Sequence, residues 1–262
     1  MALGREVRAV RRRLASGRCA HGDSHLSCPR LAVITVAFNN PAVVLDQARR
    51  LRRHLVDDFD WYVVDNSTDR AARQPIAEAA ALGGGTCVTI DRNPYRALGS
   101  PSHGFALDVA WRALVRHSAR QHVALLDHDV FPIRPTSLVA NIGTSALAGM
   151  LQIRDHRWYA WPGLLVVDVT RFDVDRLTFM PGGGVDTGGH VPAALRGDGG
   201  RACLREMEAT EVRIRHTDGR LQSDFVMMIG DWLHLLNASG WCEVPNPVDR
   251  MAMVEAVLDS FE

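Results

Sequence analysis

The chain has 262 residues, enough to bury an α/β core as one domain, and its 30 basic residues offset its 30 acidic ones, so composition gives no reason to expect wholesale binding of nucleic acid or of an anionic membrane and leaves only a local patch open. Every basic residue other than histidine is arginine; without lysine the chain can supply no phosphate-loop lysine, no pyridoxal Schiff base and no lysine nucleophile. No apolar stretch approaches the ~20 residues of a membrane span, and five scattered cysteines (Cys19, Cys28, Cys87, Cys203, Cys242) read as reduced thiols of a cytoplasmic protein, free or peripheral at the membrane.

Residues 1–30 read as a basic appendage. Val7, Val10 and Leu14 share one helical face among Arg5, Arg8, Arg11, Arg12 and Arg13, so a basic amphipathic helix is expected. Such a helix either touches a membrane surface or acidic partner, or packs on the main domain. Cys19, His21, His25 and Cys28 are zinc-ligand types, in a spacing that fits no usual knuckle.

From residue 31 the pattern becomes regular: an apolar strand over 31–38, a helix over 43–55, and a strand over 61–64 that ends at Asp65. After the Gly83–Gly85 break come a strand over 87–90, a loop through Pro94 and Pro101, a helix over 104–116, and the run Ala124-Leu125-Leu126-Asp127-His128-Asp129-Val130-Phe131. Strands alternating with helices imply a mostly parallel, Rossmann-type sheet flanked by helices, with ligands at the carboxyl ends of the strands. Asn39, Asp65, Asp127 and Asp129 all fall at such ends and could line one crevice. Strand alternation would aim Asp127 and Asp129 at one point and turn His128 away, which suits Mg²⁺ or Mn²⁺ held by one or two carboxylates plus substrate phosphates. A solvated turn after a buried strand is the alternative.

The second half is less regular and reads as a smaller β and loop region. Trp158, Tyr159 and Trp161 precede a strand over 164–168; they could stack on the apolar face of a sugar ring or pack the core. In the loop 181–190, Gly188 permits close backbone approach, and Asp186 or Thr187 is expected to cap the next helix. Asp186 is then either a general base or only a cap. An apolar run over 225–229 leads to 230–237 with His234 between leucines, and a helix is expected over 247–262. The halves divide as 31–140 and 141–246.

Three segments together, Ile34-Thr35-Val36-Ala37-Phe38-Asn39, Val63-Val64-Asp65-Asn66-Ser67-Thr68-Asp69 and Leu125-Leu126-Asp127-His128-Asp129, resemble in order and spacing the nucleotide-binding half of GT-A-fold glycosyltransferases, particularly the family 2-like group. The resemblance covers roughly residues 31–135. It implies that Thr35, Ala37, Phe38 and Asn39 cradle the nucleotide, that Asp65 bonds base or ribose, and that Asn93, His103 and Gly104 lie near the donor. It further implies that Asp127 and Asp129 hold Mn²⁺ or Mg²⁺ on the diphosphate, with His234 closing the shell ahead of His190 and His216. The usual glycine between Asn66 and Ser67 is missing, so that loop must turn differently. The expected activity is inverting transfer of a sugar from a UDP- or dTDP-sugar to a small or lipid-linked hydroxyl acceptor. Asp186 is the candidate base, and Trp158, Trp161, Thr187 and Gly188 are the acceptor side. An inactive nucleotide- or glycan-binding scaffold on the same fold is the alternative, and a nucleotidyltransferase ranks third.

Overall fold

In the computed structural model, residues 2–17, 31–115, 120–197, 200–212, 214–215, 221–222, 226–236 and 238 are described. The Cys19–Cys28 cluster, His216, Cys242 and the helix expected over 247–262 lie outside them.

The apolar runs build one sheet. β1 (Leu31–Ala37), buried along its whole length, lies between β2 (Phe59–Asp65) and β4 (His122–Asp127), with β3 (Thr86–Thr89) outside β2, all parallel. β7 (Arg157–Asp168) runs antiparallel to β4, β6 (Leu147–Arg154) antiparallel to β7, and β8 (Leu204–Glu206) parallel to β6. The order is therefore β3-β2-β1-β4-β7-β6-β8, a mostly parallel sheet of seven strands. Trp158, Tyr159 and Trp161 lie within the long β7 instead of ahead of a short strand.

Alternation along β1 sends Ala32, Ile34 and Val36 to one core and Leu31, Val33 and Ala37 to the other. α1 (Ala2–Gly17) and α4 (Gly99–Ala110, continued as a π turn to Val115) cover the first. α2 (Pro41–His54) and α3 (Arg73–Leu82) cover the second, where Leu51 and Ile76 each contribute ~1.5–3 kcal/mol by burial. α2 starts where Asn40 accepts a hydrogen bond from Val43 N (3.3 Å) and Pro41 supplies a preset φ. α5 (Leu138–Ile142) is a single short turn beside β6 and β7. Among the described residues no helix is long and apolar enough to cross a membrane.

A smaller antiparallel sheet, β5 (Val130–Pro132), β13 (Trp232–Leu235), β12 (Val226–Ile229) and β9 (Ala209–Glu211), adjoins the end of β4, and β10 (Ile214–Arg215) pairs with β11 (Leu221–Gln222).

Two expectations change, and the packed reading of the N-terminal helix is the one the fold adopts. The helix expected over 104–116 begins at Gly99, because Pro101 sits in its first turn, where a missing N–H costs nothing. Neither Asp186 nor Thr187 caps a helix: the next turn, Val191–Ala194, is 3-10 and preceded by His190 with no side-chain cap. The apolar face of α1 is occupied by the domain, with Val10 buried and Leu3 and Leu14 packed on the core, while Glu6 accepts from Asp91 N (3.3 Å) and Arg11 donates to Arg112 O (2.7 Å).

Candidate functional site

β4 stops at Asp127, and the chain turns through His128 and Asp129 into β5. A buried amide holds this turn. Gln47 Nε2 donates to Asp127 O and to Val130 O, both at 2.8 Å, while its Oε1 accepts from the Thr35 hydroxyl (2.8 Å), which in turn accepts from Trp61 Nε1 (3.0 Å). Thr35 thus serves this buried chain and presents nothing to a ligand. Because the strand ends at Asp127, alternation does not carry past it, and His128 does not point away: it lines the same cavity as both aspartates, with Nδ1 accepting from Phe38 N (3.2 Å). Asp129 is tied to the start of α2. Its Oδ2 accepts from Ala238 N (3.2 Å), and Ala238 O accepts from Asn40 Nδ2 (3.0 Å).

The charges are crowded. His103 Nε2 lies 3.0 Å from Asp127 Oδ1, and His234 Nε2 lies 3.7 Å from Asp129 Oδ1. Burial opposes a charged His103, but the Asp127 carboxylate, with Asp186 behind it, outweighs burial and raises the imidazole above its usual value. Burial alone would raise Asp127; the charges of His103, His234 and His128 reverse that and hold it low. Burial, then the charge of Asp127, pushes Asp129 well above the carboxylate range. His128 and His234, both desolvated, are pushed down to about 4. Among the described residues no three His, Cys, Asp or Glu side chains close on one point. Two adjacent carboxylates, Asp129 buried and Asp127 partly exposed, still fit a hard divalent cation completed by substrate phosphates, since a cation offsets both the burial and the repulsion that raise Asp129.

The acidic turn borders a cavity of about 460 Å³ at the carboxyl ends of β1, β2 and β4, which Phe38, Asn66, Arg96, Ser102 and His103 also line. Several expected donor residues stand behind this wall. Asn93 Nδ2 donates to Asn66 Oδ1 (2.9 Å), and Asn66 Nδ2 donates to Ser102 Oγ (3.0 Å), so Asn93 braces Asn66. Asp65 is fully buried and accepts from Ser67 N (2.9 Å), which keeps it off the cavity surface. Asn39 replaces the missing glycine in shaping the loop: at φ 54° its Oδ1 accepts from Thr68 N and Asp69 N, both at 3.0 Å. Ala37 is fully buried, and Gly104 lies inside α4, where a Cβ would stand 2.7 Å from Phe179 O.

A second cavity, about 270 Å³, shares Ser100 and His103 with the first. Asp186, Thr187, Trp161 and His234 line it with Arg154 and Met227. Asp186 Oδ2 lies 3.6 Å from the Arg154 guanidinium, Thr187 donates to Ser100 O (3.0 Å), and Trp161 stacks on His234 with centroids 4.5 Å apart. Trp158 is not in the wall. Three strand positions from Trp161, it faces the opposite side and packs on the core beneath α1 and α4. Gly188, at φ 83°, sits against Ala160 O and Pro162 and is also behind the lining. Sequence reasoning missed Gln47, Asn66, Arg96 and Arg154. Only Gln47 left a trace, as a polar residue on the apolar face of α2 between Val44 and Leu51.

No protein-family profile and no curated protein matches the sequence. The solved structures similar to the chain include sugar-transferring enzymes. One is the mannosyltransferase PcManGT from Pyrobaculum calidifontis in complex with GDP-Man and Mn²⁺, at 15% identity and TM-score 0.42, covering 66% of this chain and 57% of that one. Others are glucosyl-3-phosphoglycerate synthase from Mycobacterium tuberculosis in complex with phosphoglyceric acid (19%, TM-score 0.37, 55% and 58%) and the galactosyltransferase LgtC in complex with donor and acceptor sugar analogs (20%, TM-score 0.36, 55% and 61%). In each case the match spans less than two thirds of the solved protein.

Proposed function

We propose that this chain is a GT-A-fold, metal-dependent glycosyltransferase that moves a sugar from a nucleoside-diphosphate donor to a hydroxylated acceptor with inversion. The observation that carries the reading is the placement of Asp127 and Asp129, on a turn clamped by Gln47, at the rim of one cavity that adjoins a second bearing another carboxylate, Asp186. The order and spacing of the three strand-end segments support it independently. The donor belongs in the first cavity, built by residues 31–140, and the acceptor in the second.

A divalent ion, Mn²⁺ or Mg²⁺, at Asp127 and Asp129 with His234 beside them would supply Lewis-acid neutralisation of the departing diphosphate, worth several kcal/mol of barrier. Phe38 offers an apolar wall to the base, and the Arg96 guanidinium adds positive charge to the cavity that receives the phosphates. His103, at the junction of the cavities and biased toward its protonated form by Asp127, is placed to donate to a phosphate or sugar oxygen. Asp186 accepts the proton of the acceptor hydroxyl across the sugar from the leaving group, and that geometry inverts the anomeric centre.

The test is a mass-spectrometric screen of sugar nucleotides cleaved by the purified protein with Mn²⁺, with calorimetry of UDP and dTDP. Cleavage that disappears in Asp129→Ala and in chelator supports the reading. Nucleotide binding without turnover of any donor favours the scaffold, and full activity of Asp129→Ala in chelator refutes the metal role.

A further inference from the structure

We propose that the outward face of α1 docks this protein on an anionic lipid surface. The inner side of the helix, Leu3, Val10 and Leu14, is spent on the core. What faces outward is a row of Arg5, Arg8 and Arg12, spaced three and four residues apart, hence stacked on one helical face, and all exposed. Among the described residues none of the three has an ion-pair partner, and the one acidic residue of the helix, Glu6, is buried and holds Asp91 N. Nothing on the helix offsets the row, in a chain whose charge otherwise balances.

The chemistry favours lipid over nucleic acid. α1 carries no aromatic side chain to stack a base and no amide side chain to read one, whereas a helix of 16 residues, ~24 Å long, can lay a row of charges against a planar surface. The helix is also fastened to the rim of the first cavity. Arg13 bonds Asp91 and Thr89 O, and Arg96, which lines that cavity, donates to Asp91 O (2.6 Å). Leu98, in the same segment between β3 and α4, is an exposed large apolar side chain. Docking through α1 would bring the cavity rim near lipid. The inference goes beyond sugar transfer and does not depend on it.

With the apolar face of the helix already used, attraction is electrostatic. Each arginine near an anionic leaflet contributes about fivefold in partition, so three contribute on the order of 100-fold, screened by salt. The test is co-sedimentation of the full chain, without donor or metal, with vesicles of phosphatidylcholine alone or mixed with phosphatidylglycerol. The expected result is strong preference for the anionic vesicles, lost at high salt and lost in the triple variant Arg5→Gln/Arg8→Gln/Arg12→Gln. It should be kept in Arg49→Gln/Arg53→Gln, which removes exposed charge from α2 instead. Should the triple variant lack native circular dichroism, Arg8→Gln alone is read for its fivefold loss. Equal binding to both vesicle types, equal loss in the α1 and α2 variants, or displacement from vesicles by a short DNA duplex each overturns the proposal. Because no donor is present, failure here leaves the transferase reading standing, and the converse holds.

Discussion

In the proposed cation seat, Asp129 shows what a single buried carboxyl would give up. Burial and the charge of Asp127 disfavour its ionised form, while Ala238 N needs only one acceptor oxygen, which an amide also provides. Asp129→Asn should therefore leave metal-free stability within about 1 kcal/mol of wild type, or raise it, while abolishing Mn²⁺-dependent nucleotide binding. Urea denaturation and calorimetry check the two halves. Gln47 should behave differently, because it acts through the backbone of the acidic turn. Gln47→Met keeps the volume and strands the carbonyls of Asp127 and Val130, costing ~1–3 kcal/mol and lowering Mn²⁺ affinity about 10- to 100-fold, as loss of an outer-shell support does. Unchanged Mn²⁺ affinity in that variant would mean that the clamp is structural only. The acidic turn is legible in the sequence because its chemistry is local: two carboxylates, two residues apart, after an apolar run. Gln47 and Arg154 are not, because what gives them meaning is a partner 80 residues away in one case and a loop carboxylate, Asp186, in the other.

At the scale of elements, the first half of the fold is readable because long apolar strands and an amphipathic helix repeat there. The strands β5, β9, β12 and β13 have only three or four residues each, too few to show a period, so beyond the apolar run that becomes β12 the small sheet beside the acidic turn leaves no pattern in the sequence. Gly104 is a donor-side residue only by the family resemblance. Its place inside α4 gives it a packing role instead: it lets the helix meet the backbone of Phe179 and so sets where His103, the preceding residue, stands. Gly104→Ala would put a methyl group 2.7 Å from a carbonyl that cannot swing aside. A loss of ~1–3 kcal/mol is expected from overpacking, read as a lower urea midpoint. The Gln47 clamp on the acidic turn lies on α2 and is untouched, so Mn²⁺ affinity should fall less than in Gln47→Met, and a variant as stable as wild type would remove the packing explanation. Asp108 anchors the same helix to that stretch of chain, accepting from Phe179 N (2.7 Å) and Thr178 Oγ1 (2.9 Å).

For the whole molecule, the crowded histidines and carboxyls make stability depend on pH, with signs that can be assigned. His128 and His234 are pushed from 6.5 down to about 4, so between those values the unfolded chain takes up protons that the folded protein refuses; their contribution is lost as pH falls. Asp129 and Asp108, both raised by burial, act with opposite sign, adding stability at low pH that is lost as pH rises through their folded values. His103, raised by Asp127, contributes fully below 6.5 and loses that contribution as pH rises through its folded value. Asp127, held low, matters only as pH falls below its ordinary value of 3.8. The acid limb is thus a contest and the alkaline limb is not. A single substitution isolates one contestant. In His128→Asn the amide oxygen can still accept from Phe38 N but cannot titrate, so its stability relative to wild type should grow by about 1.4 kcal/mol per pH unit as pH falls from 6.5 toward 4. Urea midpoints across that range test it, and a difference independent of pH would show that His128 is not kept neutral. Mn²⁺ should raise wild-type stability more at pH 8 than at pH 5, because an ion on the acidic turn selects the ionised form of Asp129 that the metal-free protein resists.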